Sequence, residues 1–243
     1  YTNVDKAEEH QEIAFKINAL GPKALAKALS ITGGKLLQIS TDYVFSGNQN
    51  SPYKTNQSIS PINFYGNSKG KGEEFIKNIL YENNQLCILR TSWLMGPIGN
   101  NFATKMIQLY NNRNEIKVVY DQISSPTTTL SLANAIWKII NLNEEYSTIN
   151  KSFPKVNHFS NDGIASWYDV AVSIGEIGEK IGLIKKIPKI IPIESNDYPT
   201  IARRPNYSVL DSNETKRIIG FKNIHWRDEL IKAFNDLSTF REN

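Results

Sequence analysis

Hydrophobic positions along the chain fall into two alternating rhythms. Compact apolar runs, Lys35-Leu36-Leu37-Gln38-Ile39-Ser40, Leu86–Arg90 and Ile116–Tyr120, are bounded by turn-forming residues and predict strands. Around them lie segments rich in helix formers. Asp5–Ser30 predicts two helical stretches with a break near Gly21-Pro22, and Gly33-Gly34 ends the second. Further helices are predicted from about Phe64 to Asn83, over Phe102–Tyr110 and over Leu130–Ile140, and a Ser/Asn/Gly/Pro-rich loop covers Ser46–Pro61. Alternating strands and helices predict an α/β fold with a parallel sheet and helices on both faces.

After about Asn141 the pattern changes. A short strand Val156–Ser160, an amphipathic helix Ala165–Ile181 and a strand Ile190–Glu194 are followed by a Pro/Arg loop at Tyr198–Asn206 and helices near Glu214–Ile219 and Asp228–Phe240. This half predicts a smaller α/β cap. The expected organisation is therefore residues 1–141 for one domain and residues 142–243 mostly for a cap interleaved with it.

Composition changes this picture little. The chain has 243 residues, with 40% hydrophobic and 21% charged, ordinary for a globular protein that buries a full core. Its 28 basic and 24 acidic residues leave a net charge of +4, too small and scattered to suggest nucleic acid. The single cysteine, Cys87, sits in an apolar run and reads as a small buried hydrophobe, so neither a disulfide framework nor a thiolate metal site is expected. No run is long and apolar enough to span a membrane, and no signal peptide is visible in a chain that starts at Tyr1. The cytoplasm is the expected location.

Candidate chemistry starts with Tyr65-Gly66-Asn67-Ser68-Lys69. A Tyr and a Lys four apart on a helix project from one face. An ammonium ~5 Å from a phenol, at an effective dielectric near 20, favours phenolate by ~3 kcal/mol, about two pKa units. A Tyr tuned this way can give a proton to a carbonyl oxygen while hydride arrives at carbon. The pair alone is weak, since many solvated helix faces carry it by chance. Thr41 strengthens it: this hydroxyl ends the strand Leu36–Ser40, where open parallel sheets bind ligands, 24 residues before Tyr65. Past the next strand comes Arg90-Thr91-Ser92-Trp93. Trp93 can stack on a sugar or base or pack in the core, and Arg90 is expected to pair with a carboxylate.

Several segments together resemble the dTDP-4-dehydrorhamnose reductase family, within the extended short-chain dehydrogenase/reductase superfamily. They are Tyr1-Thr2-Asn3-Val4-Asp5-Lys6-Ala7-Glu8, Ile17-Asn18-Ala19-Leu20-Gly21-Pro22, Ser40-Thr41-Asp42-Tyr43-Val44-Phe45, the Tyr65/Lys69 pair and Arg90-Thr91-Ser92-Trp93. Asp121-Gln122-Ile123-Ser124-Ser125-Pro126-Thr127 and Arg204-Pro205-Asn206-Tyr207-Ser208-Val209-Leu210-Asp211 complete the set. The resemblance implies a Rossmann-type doubly wound sheet and NADPH- or NADH-dependent reduction of the 4-keto group of dTDP-4-dehydrorhamnose. It implies that Tyr65 donates the proton, Lys69 holds the nicotinamide ribose and tunes Tyr65, and Thr41 hydrogen-bonds the reacting oxygen. Thr41 and Asp42 would touch the sugar and Trp93 the sugar nucleotide. Tyr1 and Thr2 would contact the cofactor, and Asn18 would support the site.

The family's opening strand, Gly-rich turn and pyrophosphate-binding helix have no counterpart here, so about two βα units are expected to be missing. These 243 residues alone are then expected to bind the cofactor very weakly and to be inactive. Some family members use Mg²⁺ through glutamates, and those glutamates cannot be matched, so no metal ligand is named. The expected partner is a dTDP-sugar, without nucleic acid or membrane, and a homodimer is one assembly open to the chain. Two other readings compete: a non-catalytic subunit like the regulatory subunit of methionine adenosyltransferase, and another sugar-nucleotide epimerase or reductase. The three retained groups Thr41, Tyr65 and Lys69 argue against the first. A 4,6-dehydratase is disfavoured because Tyr43 follows Asp42 where such enzymes carry a second carboxylate.

Overall fold

A computed structural model describes residues 1–148 and 152–241. Helices α1 (Val4–Glu9) and α2 (Gln11–Phe15), a π turn over Lys16–Leu20 and helix α3 (Gly21–Thr32) lead into strand β1 (Leu36–Thr41). Helix α4 (Phe64–Leu80), strands β2 (Leu86–Thr91) and β3 (Leu94–Met95), helix α5 (Phe102–Asn112) and strands β4 (Glu115–Val119), β5 (Ile123–Ser124) and β6 (Thr127–Thr128) follow. The chain continues through α6 (Thr129–Thr148), β7 (Val156–His158), β8 (Ala165–Ser166), α7 (Trp167–Lys180), β9 (Lys189–Ile193), α8 (Asn213–Ile218) and α9 (Trp226–Arg241). This is the α/β class expected, with parallel pairing predominant.

The chain forms two compact units. The first comprises Tyr1–Thr91, Ile136–Phe159 and Thr200–Phe221, the second Ser92–Ala135, Ser160–Pro199 and Lys222–Asn243. In the first, β1, β2 and β7 form a parallel sheet in that order, with Thr41 opposite Thr91 and Arg90 opposite His158. Among the described residues its apolar packing includes Ala26, Ile76, Leu80, Leu86 and Ile88 and a separate group of Val44, Phe45, Tyr53 and Leu210. In the second unit, β3 pairs with β6 and β4 with β9 in parallel, while β5 pairs with β8 antiparallel. Among the described residues a larger core there joins Met95, Met106, Tyr110, Ile174, Leu230 and Phe234.

Two predicted boundaries shift for identifiable reasons. The helix does not break at Gly21-Pro22: Gly21 keeps right-handed helical angles and Pro22 sits in the first turn of α3. Pro22 has no N–H to give the carbonyl four residues back, that of Asn18, and the helix widens into the π turn Lys16–Leu20 instead of ending. The helix expected from Ala165 starts at Trp167, because Ser166 is its N-cap. The Ser166 hydroxyl accepts the Asp169 N–H at 3.1 Å, and the Asp169 carboxylate accepts the Ser166 N–H at 2.8 Å. Ala165 and Ser166 are left to pair with β5. Gly33 ends α3 in the left-handed conformation at φ +77°, as its sequence position predicts.

Candidate active site

Strand β1 delivers Thr41 to its carboxyl end, where a short 3-10 turn, Asp42–Val44, begins. The Thr41 hydroxyl accepts the Tyr43 N–H at 3.2 Å and donates to Asp42 Oδ1 at 3.0 Å. Helix α4 is started by Asn63, whose Oδ1 accepts the Gly66 N–H at 2.8 Å while its Nδ2 donates to the Arg203 carbonyl at 2.8 Å. Glu8 accepts another free N–H of the first turn, that of Phe64, at 2.7 Å.

Two glycines let α4 lie against its neighbours. A Cβ on Gly66 would stand 2.1 Å from the Tyr43 carbonyl oxygen, and one on Gly72 would stand 2.3 Å from that of Asn18. Those approaches hold the helix against the turn after β1 and against the π turn Lys16–Leu20. The Tyr65 phenol lies close enough to Thr41 for that hydroxyl to act on it, and its ring meets Tyr43 edge-on at 6.0 Å. One turn on, Lys69 reaches back and donates to the Ile39 carbonyl at 2.7 Å. The structure thus brings together Thr41, Tyr65 and Lys69.

The electrostatics differ from expectation in one respect. Burial pushes the Tyr65 phenol up to about 12, with the Asp42 charge adding to the rise and the Thr41 hydrogen bond opposing it. Desolvation, not the neighbouring ammonium, therefore sets the direction of the shift. The result is a phenol that keeps its proton at neutral pH, the state a proton donor needs. Burial lowers the Lys69 ammonium, and the Glu73 carboxylate, one turn further along α4, opposes that fall.

Asn18 links several pieces. Its Nδ2 donates to the Tyr1 carbonyl and to Ser68 Oγ, both at 3.0 Å, and Ser68 Oγ donates to the Tyr65 carbonyl at 2.8 Å. Tyr1 is half-buried and Thr2 exposed. Asp42 is only 2% exposed, and its carboxylate accepts the hydroxyls of Thr41 and Ser208.

Trp93 lies in the second unit. It is buried, adopts φ +43°, and stacks on Trp167 with ring centroids 3.6 Å apart and planes within 9°. Positive φ is costly for a bulky residue, so the stack and the surrounding packing hold the indole in place.

Arg90 pairs with a carboxylate, as expected. Its Nε and Nη2 bind the two Glu73 oxygens at 2.9 and 2.6 Å, and both side chains are buried. Burial pushes the Glu73 carboxyl up, but the Arg90 hydrogen bonds and charge, with Ser40 and Lys77, outweigh it and hold the group below its ordinary range. His158 stands 3.3 Å from Arg90 Nη1 and 3.0 Å from the Tyr53 carbonyl. Burial, then the Arg90 charge, lowers its imidazole to about 3, so it is neutral.

Cys87 is buried and its thiol is pushed up to about 12 by burial, as befits a packed hydrophobe. Among the described residues no group of three or more His, Cys, Asp or Glu is close enough to hold a metal ion, and no residue is assigned to Mg²⁺. No described helix is long and apolar enough to cross a membrane.

Sequence reasoning gave no role to Ser208, Asn63, Glu73 or His158. Asn63 carried a readable signal, an Asn directly before a helical run. Ser208 lay inside a segment that carries the family resemblance. The bridging of Glu73 and His158 by Arg90 has no local signature.

The family model described as RmlD substrate binding domain matches residues 1–239. The dTDP-4-dehydrorhamnose reductase of Aggregatibacter actinomycetemcomitans is 34% identical over 236 residues, covering 96% of this chain and 78% of that protein. The spore coat polysaccharide biosynthesis protein SpsK of Bacillus subtilis is 35% identical over 239 residues, covering 98% and 77%. Among solved structures, the Bacillus anthracis dTDP-4-dehydrorhamnose reductase in complex with NADP superimposes with a TM-score of 0.85 at 37% identity, covering 97% of this chain and 78% of that one. The Rossmann-like fold expected from the sequence is thus shared with these proteins.

Proposed function

Because the chain belongs to the dTDP-4-dehydrorhamnose reductase family, we propose that it reduces the 4-keto group of dTDP-4-dehydro-6-deoxy-L-mannose to give dTDP-L-rhamnose, with NADPH or NADH as reductant. The observation that carries this reading is the convergence of the Thr41 hydroxyl, the Tyr65 phenol and the Lys69 ammonium at the carboxyl end of β1. In open parallel sheets that is where ligands bind.

The nicotinamide cofactor, when bound, supplies the hydride. The chain's own groups do the rest. Tyr65, protonated at neutral pH, gives its proton to the sugar's O4 as that oxygen gains charge, and keeps the electron pair of its O–H bond. Thr41 hydrogen-bonds the same oxygen. Lys69 suits the cofactor's ribose: an ammonium has three donors, and among the described residues one is used, on Ile39. Tyr1 and Thr2 flank the cofactor beside Asn18. Thr41 and Asp42 form the sugar-facing turn, and Trp93 contacts the sugar nucleotide. Residues 1–141 chiefly serve the cofactor and catalysis, and residues 142–243 chiefly recognise the sugar nucleotide.

The test is optical: oxidation of NADPH, and separately NADH, by the full-length protein with the dTDP-4-keto sugar, with product identified by chromatography. Formation of dTDP-L-rhamnose is expected, and absence of turnover with both cofactors overturns the reading. In the same assay, Trp93→Ala is expected to raise KM for the sugar nucleotide and to leave cofactor affinity nearly unchanged. Equal losses of cofactor affinity and thermal stability would instead assign Trp93 to packing.

A further inference from the structure

We propose that Trp93 meets the sugar nucleotide with the N–H edge of its indole, as a hydrogen-bond donor to a ligand oxygen, and that Trp167 is the positioning residue that holds the ring for it. The proposal rests on the reductase reading for the identity of the ligand. Its basis lies within the second unit, which contains both tryptophans. Trp167 covers one face of Trp93, with ring centroids 3.6 Å apart and planes within 9°, and the Trp93 ring belongs to the apolar core of that unit. Trp93 is 8% exposed. A ring open to solvent on one face would expose far more, so an edge is what it offers a ligand.

The N–H identifies the edge. An indole N–H only donates. That of Trp93 has no acceptor among the described residues, yet it is not one of the enclosed donors left without a partner, as Trp226 Nε1 is. The N–H edge is therefore the one that reaches solvent. It is also part of the positive rim of the ring quadrupole, so it suits a phosphate, carbonyl or hydroxyl oxygen. Face-on stacking against a sugar or base, which the sequence allows, would need the face that Trp167 occupies.

An edge selects one atom only if the ring cannot turn. The Trp93 backbone, at φ +43°, is held where its carbonyl accepts the Thr127 N–H at 3.2 Å and where the Ser92 hydroxyl donates to the Ser125 carbonyl at 2.6 Å. Those bonds fix the backbone and leave the ring to its neighbours. Trp167 is the first residue of α7, next to the Ser166–Asp169 cap, and Phe102 lies against it with ring centroids 4.5 Å apart. Aromatic rings left to themselves prefer offset or edge-on arrangements to a close parallel sandwich. The cap and Phe102 therefore impose the stack, and the stack sets the plane of the Trp93 indole. Without the Trp167 ring, the Trp93 side chain is free to rotate and its N–H loses a fixed direction.

The experiment compares wild type with Trp93→Phe, Trp167→Ala and Trp167→Phe in the full-length protein, with thermal melts and NADPH affinity measured alongside. Binding of dTDP-L-rhamnose, dTDP and thymidine is read by calorimetry, without turnover. The stack is read as the paired bands of opposite sign that two coupled indoles give in circular dichroism. Trp93→Phe, which keeps a ring and removes the N–H, is expected to weaken dTDP-L-rhamnose by about tenfold. The same loss with dTDP and thymidine puts the oxygen on the nucleoside, with dTDP but not thymidine on the diphosphate, and with dTDP-L-rhamnose alone on the sugar. Trp167→Ala is expected to remove the paired bands and to weaken dTDP-L-rhamnose by about tenfold, with NADPH affinity within about twofold of wild type. Trp167→Phe, which still covers the indole face, should recover most of that loss. The proposal is overturned if Trp93→Phe binds dTDP-L-rhamnose as tightly as wild type, if Trp167→Ala removes the bands and leaves that affinity unchanged, or if the affinity losses track the loss of folded protein. A wild-type protein that binds neither dTDP-L-rhamnose nor dTDP overturns the reductase reading and this proposal with it, whereas failure in the variants alone overturns only the proposal.

Discussion

The two units solve the problem of an interior differently. The second buries one large apolar cluster, in which Met106, Ile174, Leu230 and Phe234 join aromatic rings. Among the described residues the first shows smaller apolar groups and buries charge as well: Arg90 and Glu73 are each 1% exposed and His158 is fully buried. Buried ion pairs are weak evidence of stability, since desolvation cancels much of their attraction. What they do supply is fixed direction. Glu73 and Lys69 share α4 with Tyr65, and Arg90 ties that helix to β2. The unit that carries the candidate chemistry therefore buries a bidentate ion pair, whereas the second sets a buried network of Thr128, Ser131, Asn161 and Glu229 beside its apolar cluster.

Tyr65→Phe sharpens this contrast most. It keeps the ring and removes one hydroxyl, so the fold is expected to persist while turnover falls by roughly 10²–10⁴-fold, the usual worth of a positioned general acid. Steady-state kinetics beside a thermal melt separate the two effects, and near-wild-type turnover when chemistry is rate-limiting would remove Tyr65 from its role. Next comes a matched pair of core deletions. Arg90→Ala strips the buried Glu73 of its guanidinium partner, leaving Lys77 at 3.7 Å, and should cost about 3–5 kcal/mol, whereas Ile174→Ala, which opens a cavity in the second unit, should cost about 2–5 kcal/mol. The variants should part company in kinetics. At a temperature where both stay folded, Arg90→Ala should lose kcat and Ile174→Ala should keep it. Equal kcat in the two would dissolve the proposed distinction between the units.

Much of the first unit was legible in the sequence because its signals are local. Alternating apolar rhythms marked β1, α4 and β2 to within a few residues, and a Tyr and a Lys one helical turn apart need no tertiary information to share a face. Arg90 in an apolar strand had to find a carboxylate, and the rule that buried charges are paired was enough to expect one. What was not legible depends on contacts far apart in sequence. Ser208 meets Asp42 across 166 positions and Asn63 meets Arg203 across 140, and neither spacing leaves a periodic trace. The rise in the Tyr65 pKa was missed for a related reason. The Tyr–Lys spacing is local, but the desolvation that sets the direction comes from residues packed around the phenol. The π turn at Lys16–Leu20 followed from a familiar proline rule with an unforeseen outcome: the lost hydrogen bond widened the helix and left the Asn18 carbonyl region for Gly72 to approach.

The smallest expected effect concerns pH, and it tests whether the polar interior of the first unit is a liability in mild acid. His158 is neutral in the folded chain, its imidazole lowered to about 3 by burial and then by Arg90. In the unfolded chain it titrates near 6.5. The unfolded state therefore binds the extra proton first as pH falls. Stability is fully present above about 6.5 and is lost at up to about 1.4 kcal/mol per pH unit down to the folded value. At pH 5 the loss from this one residue is roughly 2 kcal/mol. Glu73, held below its ordinary range, contributes in the same direction only at lower pH, where an unfolded carboxylate starts to protonate near 4.5. The window between pH 6.5 and 5 thus isolates the histidine. Urea denaturation at closely spaced pH values should show the midpoint falling across that window. In His158→Gln, destabilised at every pH, the midpoint should stay nearly level. A wild-type midpoint that does not move between pH 7 and 5 would mean that the imidazole reaches solvent or a proton donor in the folded chain, and the contrast drawn between the two interiors would lose its clearest electrostatic support.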